Sequence, residues 1–99
     1  MLKLISGKEI EGYLNRRDVV IIDLRDREDY ESLHLTGAIN MDYNSCINMN
    51  NSRLKQKTLL LYCDKGNLSL KACVKLDKKG YNVISVGGGF EGIKSYYGN

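Results

Sequence analysis

The sequence predicts an α/β fold on a mostly parallel sheet, and three observations carry that expectation. Two runs, Val19-Val20-Ile21-Ile22 and Thr58-Leu59-Leu60-Leu61-Tyr62, are continuous rather than alternating in apolar character. Strands buried on both faces of a parallel sheet read this way. Strand-like runs alternate with helical periodicity along the chain, the pattern of βα units joined by right-handed crossovers. Finally, the second run passes through Cys63-Asp64-Lys65-Gly66-Asn67-Leu68 into a helical stretch opening at Ser69. A loop in that place sits at the carboxyl end of a buried strand, where open α/β sheets bind ligands.

Taken in order, Leu2 to Ile5 is a short apolar strand. Ser6-Gly7-Lys8-Glu9 reads as a capping box, in which hydroxyl and carboxylate satisfy orphan amides reciprocally. The helix after it places Ile10, Tyr13 and Leu14 on one face. The β-branched strand Val19 to Ile22 follows. Asp23-Leu24-Arg25 closes it, and Asp26 caps a short helix over Arg27 to Leu33 with acids in its first turn. Gly37 suits a turn with positive φ before a short strand over Ala38 to Met41. Asp42 to Gln56 is polar and Asn-rich, with at most a short helix around Cys46 to Met49. In the helix opened by Ser69, Leu70, Cys73 and Leu76 form an apolar arc opposite Lys71, Lys75 and Lys78. Lys78 and Lys79 complement the helix dipole, and Gly80 fits the position just past the end. Tyr81 to Val86 is the last strand, Gly87-Gly88-Gly89 a turn, and Phe90 to Tyr97 a final amphipathic helix.

Cys63 is the candidate nucleophile. It stands at the start of the loop, near a helix N-terminus whose partial positive charge favours a thiolate. A tight loop entering a helix can also turn backbone N–H groups inward as an anion nest. Gly66 and Asn67 tolerate the φ angles such a loop needs. Lys65 would favour the thiolate and attract anions, Asp64 would oppose it, and Ser69 would give its hydroxyl to a bound sulfur, serve as a plain helix N-cap, or both. Arg25 and Asp23 are expected as a structural ion pair or loop anchor, with a place on the site rim as the alternative. His34 is expected as a structural hydrogen-bonder before the Gly37 turn rather than a general base. Cys73 belongs to the core, and Cys46 is expected exposed in the polar loop, with persulfide resolution as the alternative.

The chain has 99 residues, enough for one domain over 1–99. A net charge of +3 without a basic run or Arg-aromatic cluster argues against nucleic-acid binding. No apolar run approaches membrane-spanning length, and no signal-peptide pattern is present at the start. Three cysteines without framework spacing suit a reducing cytoplasm. No CxxC or Cys/His cluster suggests a metal site, and Gly87 to Gly89 lacks the context of a phosphate loop. A monomer is the default expectation.

Several segments together resemble a rhodanese domain. They are Val20-Ile21-Ile22-Asp23-Leu24-Arg25, Glu28-Asp29-Tyr30, His34-Leu35-Thr36-Gly37-Ala38-Ile39-Asn40, Tyr62-Cys63-Asp64-Lys65-Gly66-Asn67-Leu68-Ser69, and Gly80-Tyr81-Asn82-Val83 leading to Gly87-Gly88-Gly89-Phe90. The resemblance implies a five-stranded, mostly parallel sheet with helices on both faces. It also implies a sulfurtransferase that needs no cofactor and carries sulfur as a persulfide on Cys63. The donor would be a small-molecule or protein persulfide, or thiosulfate. The acceptor would be cyanide or a thiol, a thioredoxin-like protein among the candidates. The loop from Cys63 to Leu68 resembles the sulfurtransferase branch. Leu68 stands where relatives often carry Arg or a polar residue. Relatives often carry Trp in the last helix; this chain has none, and Tyr96 or Tyr97 is expected to serve instead. Two other readings compete with it. A cysteine phosphatase needs a roomier loop and an Arg for bidentate phosphoryl contacts, and Asp64 to Ser69 has no Arg. A non-catalytic docking domain is the alternative from another class, opposed by the combination of Cys63, Gly66 and Ser69.

Overall fold

The computed structural model describes residues 1–97. Its strands are β1 (Leu2–Ser6), β2 (Val19–Asp23), β3 (Ile39–Asn40), β4 (Thr58–Tyr62) and β5 (Asn82–Gly87). They form one five-stranded sheet in the order β1-β5-β4-β2-β3, and each neighbouring pair is parallel. Parallel pairing demands a crossover between partners. The connections carry α1 (Arg27–Ser32), α2 (Tyr43–Ile47) and α3 (Asn67–Lys78), and α4 (Gly89–Tyr97) follows the last strand.

Strand β4 lies at the centre of the sheet. Its side chains alternate between faces, so its continuous apolar run feeds two separate cores. Leu59 and Leu61 pack with Ala72, Cys73 and Leu76 of α3 and with Cys46 of α2. Leu60 and Tyr62 pack on the other face with Ile10, Phe90 and Ile93. Leu59, Leu60 and Leu61 are fully buried, and each contributes about 2 kcal/mol by that burial. Helices therefore cover both faces, as expected.

Several local expectations are corrected. The segment after Ser6 is a 3₁₀ helix, Gly7–Tyr13, rather than an α-helix. Its capping box is present, with the Ser6 amide donating to Glu9 Oε2 at 3.1 Å, and Ile10 is fully buried. Gly7 meets α4 so closely that a Cβ there would come within 2.8 Å of the Gly92 carbonyl carbon. The buried face of α3 is Ser69, Ala72, Cys73 and Leu76, an i, i+3, i+4, i+7 set. Leu70 is 37% exposed, because it stands one residue off that stripe. Cys46 is not in an exposed loop; it is fully buried inside α2. The Asn-rich segment hides a helix there because the Asp42 side chain accepts from the Ser45 amide at 2.7 Å as its N-cap. Tyr96 and Tyr97 are 54% and 44% exposed and do not fill the place of a packed Trp. The buried aromatic of the last helix is Phe90, stacked on Tyr62.

Candidate active site

The site grows out of the end of β4. After Tyr62 the chain turns through Cys63, Asp64, Lys65 and Gly66, and α3 begins at Asn67. The helix thus starts two residues before Ser69, which lies in its first turn and is not the N-cap. Gly66 holds the cap position with φ 105°, a conformation open to glycine at little cost. Asn67 is already helical and needs no unusual φ. Its side chain and that of Leu68 line the depression beside Cys63.

The short turn brings backbone donors onto the sulfur. The Gly66 amide donates to Cys63 Sγ at 3.2 Å and the Ser69 amide at 3.3 Å. The Cys63 thiol donates to Ser69 Oγ at 3.6 Å. Ser69 Oγ also lies 3.2 Å from the Gly66 carbonyl, to which it donates, and 3.0 Å from Ser85 Oγ on β5. Two amides of a twelve-residue helix N-terminus therefore converge on one sulfur. Both the amide dipoles and the helix end favour negative charge there.

What holds the turn in shape comes from later in the chain. The Phe90 amide donates to the Cys63 carbonyl at 2.7 Å, and the Glu91 amide to the Asp64 carbonyl at 3.1 Å. With its carbonyls pinned by the first turn of α4, the loop turns amides toward the sulfur. The approach is close on both sides. A Cβ on Gly89, whose φ is 58°, would lie 2.6 Å from the Asp64 carbonyl carbon and oxygen. A Cβ on Gly66 would lie 3.0 Å from the Gly88 nitrogen. Sequence reasoning read Gly87 to Gly89 only as a turn and missed this clamp. The signal was the run of glycines itself, which is what a close backbone approach requires. Ser85, a polar residue within an apolar strand, was missed as well.

Arg25 and Asp23 form a buried ion pair. The Arg25 Nη2–Asp23 Oδ2 distance is 2.9 Å, and the Arg25 amide donates to Asp23 Oδ1 at 2.8 Å. Arg25 Nη2 also donates to the Leu33 carbonyl. The guanidinium carbon lies 3.9 Å from the centre of the Phe90 ring, a cation–π contact. Burial alone would lower the Arg25 pKa, but the Asp23 carboxylate holds it above its ordinary value. Arg25 therefore serves both expectations. It anchors the loop after β2, and it lines a depression of about 360 Å³ with Cys63, Lys65 and Leu68. A neighbouring depression of about 580 Å³ continues past Leu68 toward Tyr43. Asp64 and Lys65 are exposed on the rim.

The remaining candidates stand apart. His34 Nδ1 is 2.7 Å from the Tyr30 carbonyl and its ring stacks on Tyr30, a structural position as expected. Cys46 and Cys73 are buried free thiols, and burial pushes them up to about 11 and about 12. Among the described residues, no group of three or more His, Cys, Asp or Glu side chains could hold a metal ion. No helix among them is long and apolar enough to cross a membrane.

The sequence and the fold were compared with known proteins. A family model described as a rhodanese-like domain matches residues 6–96. A thiosulfate sulfurtransferase GlpE from Coxiella burnetii is 33% identical over 98 residues, covering 98% of this chain and 92% of the relative. The thiosulfate sulfurtransferase GlpE of Pseudomonas entomophila is 37% identical over 86 residues, covering 85% and 78%. Among solved structures, a rhodanese-like domain protein from Staphylococcus aureus matches with a TM-score of 0.79 at 24% identity, covering 92% of this chain and 90% of that one. At that identity the match is one of fold.

Proposed function

The chain belongs to the rhodanese-like domain family, and from that premise we propose that it is a sulfurtransferase whose sulfur carrier is Cys63. The observation that carries the reading is the convergence of the Gly66 and Ser69 amides on Cys63 Sγ, at 3.2 and 3.3 Å. A structural cysteine needs no such donors; a sulfur that must hold negative charge does. Relatives named as thiosulfate sulfurtransferases, matching nearly the whole chain, support the same activity.

The reaction is two-step covalent catalysis. The Cys63 thiolate attacks the outer sulfur of a persulfide, R–S–S⁻. A bond forms between Cys63 Sγ and that sulfur, and the bond to R–S breaks. The thiolate R–S⁻ leaves with the electron pair. With thiosulfate, sulfite leaves instead. An acceptor thiolate then attacks the outer sulfur of the Cys63 persulfide, departs as a new persulfide, and restores the Cys63 thiolate. Cyanide would leave as thiocyanate. No external oxidant or reductant enters either step.

Each neighbour takes a definite part. The Gly66 and Ser69 amides stabilise the charge on sulfur. Gly66 gives the loop the φ it needs, and Asn67 and Leu68 form the wall toward the donor. Lys65 and Asp64 set the charge at the rim; being exposed, they act through screened interactions worth little individually. Arg25 lines the depression beside Cys63, with its charge paired by the buried Asp23 carboxylate. A thiol protein of thioredoxin type fits the acceptor role, since the sulfur opens to a shallow depression rather than a closed cavity. Three free, buried thiols fit a reducing cytoplasm.

The test is intact mass after incubation with a small alkyl persulfide or with thiosulfate. The expected result is one added sulfur on the parent and none on Cys63→Ala. Equal uptake by Cys63→Ala would overturn the assignment.

A further inference from the structure

Ser85 is a polar residue at a place the pattern reserves for an apolar one. On β5 it lies between Ile84 and Val86, beside Leu61 of β4 and Leu4 of β1 in register. It is 1% exposed. A hydroxyl buried there costs stability unless it is hydrogen-bonded. Its partner is Ser69 Oγ, at 3.0 Å, itself fully buried and 3.6 Å from Cys63 Sγ.

We propose that Ser85 is a positioning residue for the Cys63 sulfur, acting through the Ser69 hydroxyl. Ser69 has one proton and three neighbours. While Cys63 is a thiol, its S–H donates to Ser69 Oγ, and Ser69 donates to the Gly66 carbonyl at 3.2 Å. Once the sulfur is ionised or carries a persulfide, it can only accept. The Ser69 proton then turns from the carbonyl to the sulfur, and Ser69 Oγ loses the donor it had. The Ser85 hydroxyl replaces it across the 3.0 Å contact. The chain Ser85 to Ser69 to Cys63 then runs in one direction, each donor strengthening the next. Only hydroxyl protons rotate, and no heavy atom has to move.

The Cys73 thiol lies on the same side of the sheet, and burial pushes it up to about 12. It stays protonated at working pH and adds no charge behind Ser85. Other charged groups near the sulfur are Asp64 and Lys65 in the loop and Arg25 after β2. A change at Ser85 leaves all three in place.

The inference takes Cys63 to be the reacting sulfur, but its test needs no sulfur donor. The rate of Cys63 alkylation by iodoacetamide is followed against pH in the parent, Ser85→Ala and Ser85→Thr. In Ser85→Ala the rate at neutral pH should fall by about threefold to tenfold, from a weakened hydrogen bond to a charged group. The midpoint should move to higher pH, with the alkaline plateau unchanged. Ser85→Thr, which keeps the hydroxyl, should restore the parent profile. A profile that does not move in Ser85→Ala overturns the proposal, even if the melting temperature falls, because that pattern is a packing role alone. Should Ser85→Ala fail to fold, Ser85→Cys keeps a weaker donor at the position, with the Cys63 label told from any label on the new thiol by peptide mass. It should give a smaller shift of the same sign, and an unmoved profile there overturns the proposal equally. A parent that alkylates normally yet takes up no sulfur would sink the proposed function while leaving this result standing.

Discussion

The amide of Phe90 and the carbonyl of Cys63 meet at 2.7 Å, so the loop that begins at Cys63 is bolted to the start of α4. Next to this bond, Gly89 at φ 58° leaves no room for a side chain beside Asp64. Gly89→Ala should cost on the order of 3 kcal/mol from strain and overlap, read as a lowered urea midpoint. Sulfur loading should fall in parallel as the amides turn away from Cys63. Gly66→Val, at φ 105° and against the Gly88 nitrogen, should abolish transfer. A folded Gly89→Ala protein with parental loading would show that the clamp does not set the loop.

Thiol chemistry should single out one cysteine in three. Burial holds Cys46 up to about 11 and Cys73 up to about 12, so below pH 10 both stay protonated and enclosed. Alkylation of the native protein at pH 8 should add one label, and three after denaturation. Stability should follow the same linkage. The unfolded thiols ionise near about 8.5 while the folded ones keep their protons. Stability is full below that pH and falls as pH rises toward about 11, by about 1.4 kcal/mol per pH unit for each thiol. Cys73→Ala should flatten that alkaline slope in a series of denaturant melts. An unchanged slope would mean that Cys73 ionises alike in both states.

Asp23 is fully buried and exists to satisfy Arg25. Removing it strands a guanidinium between Phe90 and the Leu33 carbonyl. Asp23→Ala should therefore destabilise by about 3 to 5 kcal/mol, while Arg25→Met should cost less, because it strands a carboxylate that still accepts the residue 25 amide. Chemical denaturation ranks the two, and the reverse order would contradict this account.

Donor choice should turn on loop charge. Asp64 and Lys65 cancel at the rim and Leu68 adds no charge. One unit charge at 4 Å is worth ~1 kcal/mol in water and ~4 kcal/mol at an effective dielectric of 20. A small alkyl persulfide should serve the parent better than thiosulfate, with Leu68 against its carbon. In Asp64→Asn/Leu68→Arg, kcat/KM for thiosulfate should rise about tenfold or more and the persulfide preference should narrow. A parent that already prefers thiosulfate, or an unchanged ratio, would remove side-chain charge as the selector.

What the sequence disclosed and what it hid follow from range. The parallel sheet was legible because Val19 to Ile22 and Leu59 to Leu61 lack alternation, a local signal. The turn that begins at Cys63 was legible because strand, turn and helix lie within one short stretch. The 3₁₀ form of Gly7–Tyr13 was not, since tight and ordinary helices share capping chemistry and near-equal spacing. Cys46 was misplaced because a single Asx cap at Asp42, rather than any apolar period, starts its helix. The hydroxyl of Ser85 and the amides of Phe90 and Glu91 reach the site only through tertiary contact. No window of sequence around Cys63 contains them.

The bolt between α4 and the loop also orders events during synthesis. Cys63 leaves the ribosome well before Phe90 and Glu91, whose amides give its loop a shape. Until they emerge, the thiol is an ordinary cysteine on an open chain. Loop-assisted transfer should then switch on only when α4 docks, and a half-made molecule should trap sulfur no faster than any free cysteine. Ribosome-bound chains stalled before Gly88 should load Cys63 from an alkyl persulfide no faster than Cys46 or Cys73, whereas chains extended well past Tyr97 should load as the free protein does. Faster loading of Cys63 in the shorter chains would separate the reactivity of Cys63 from the helix that closes the fold.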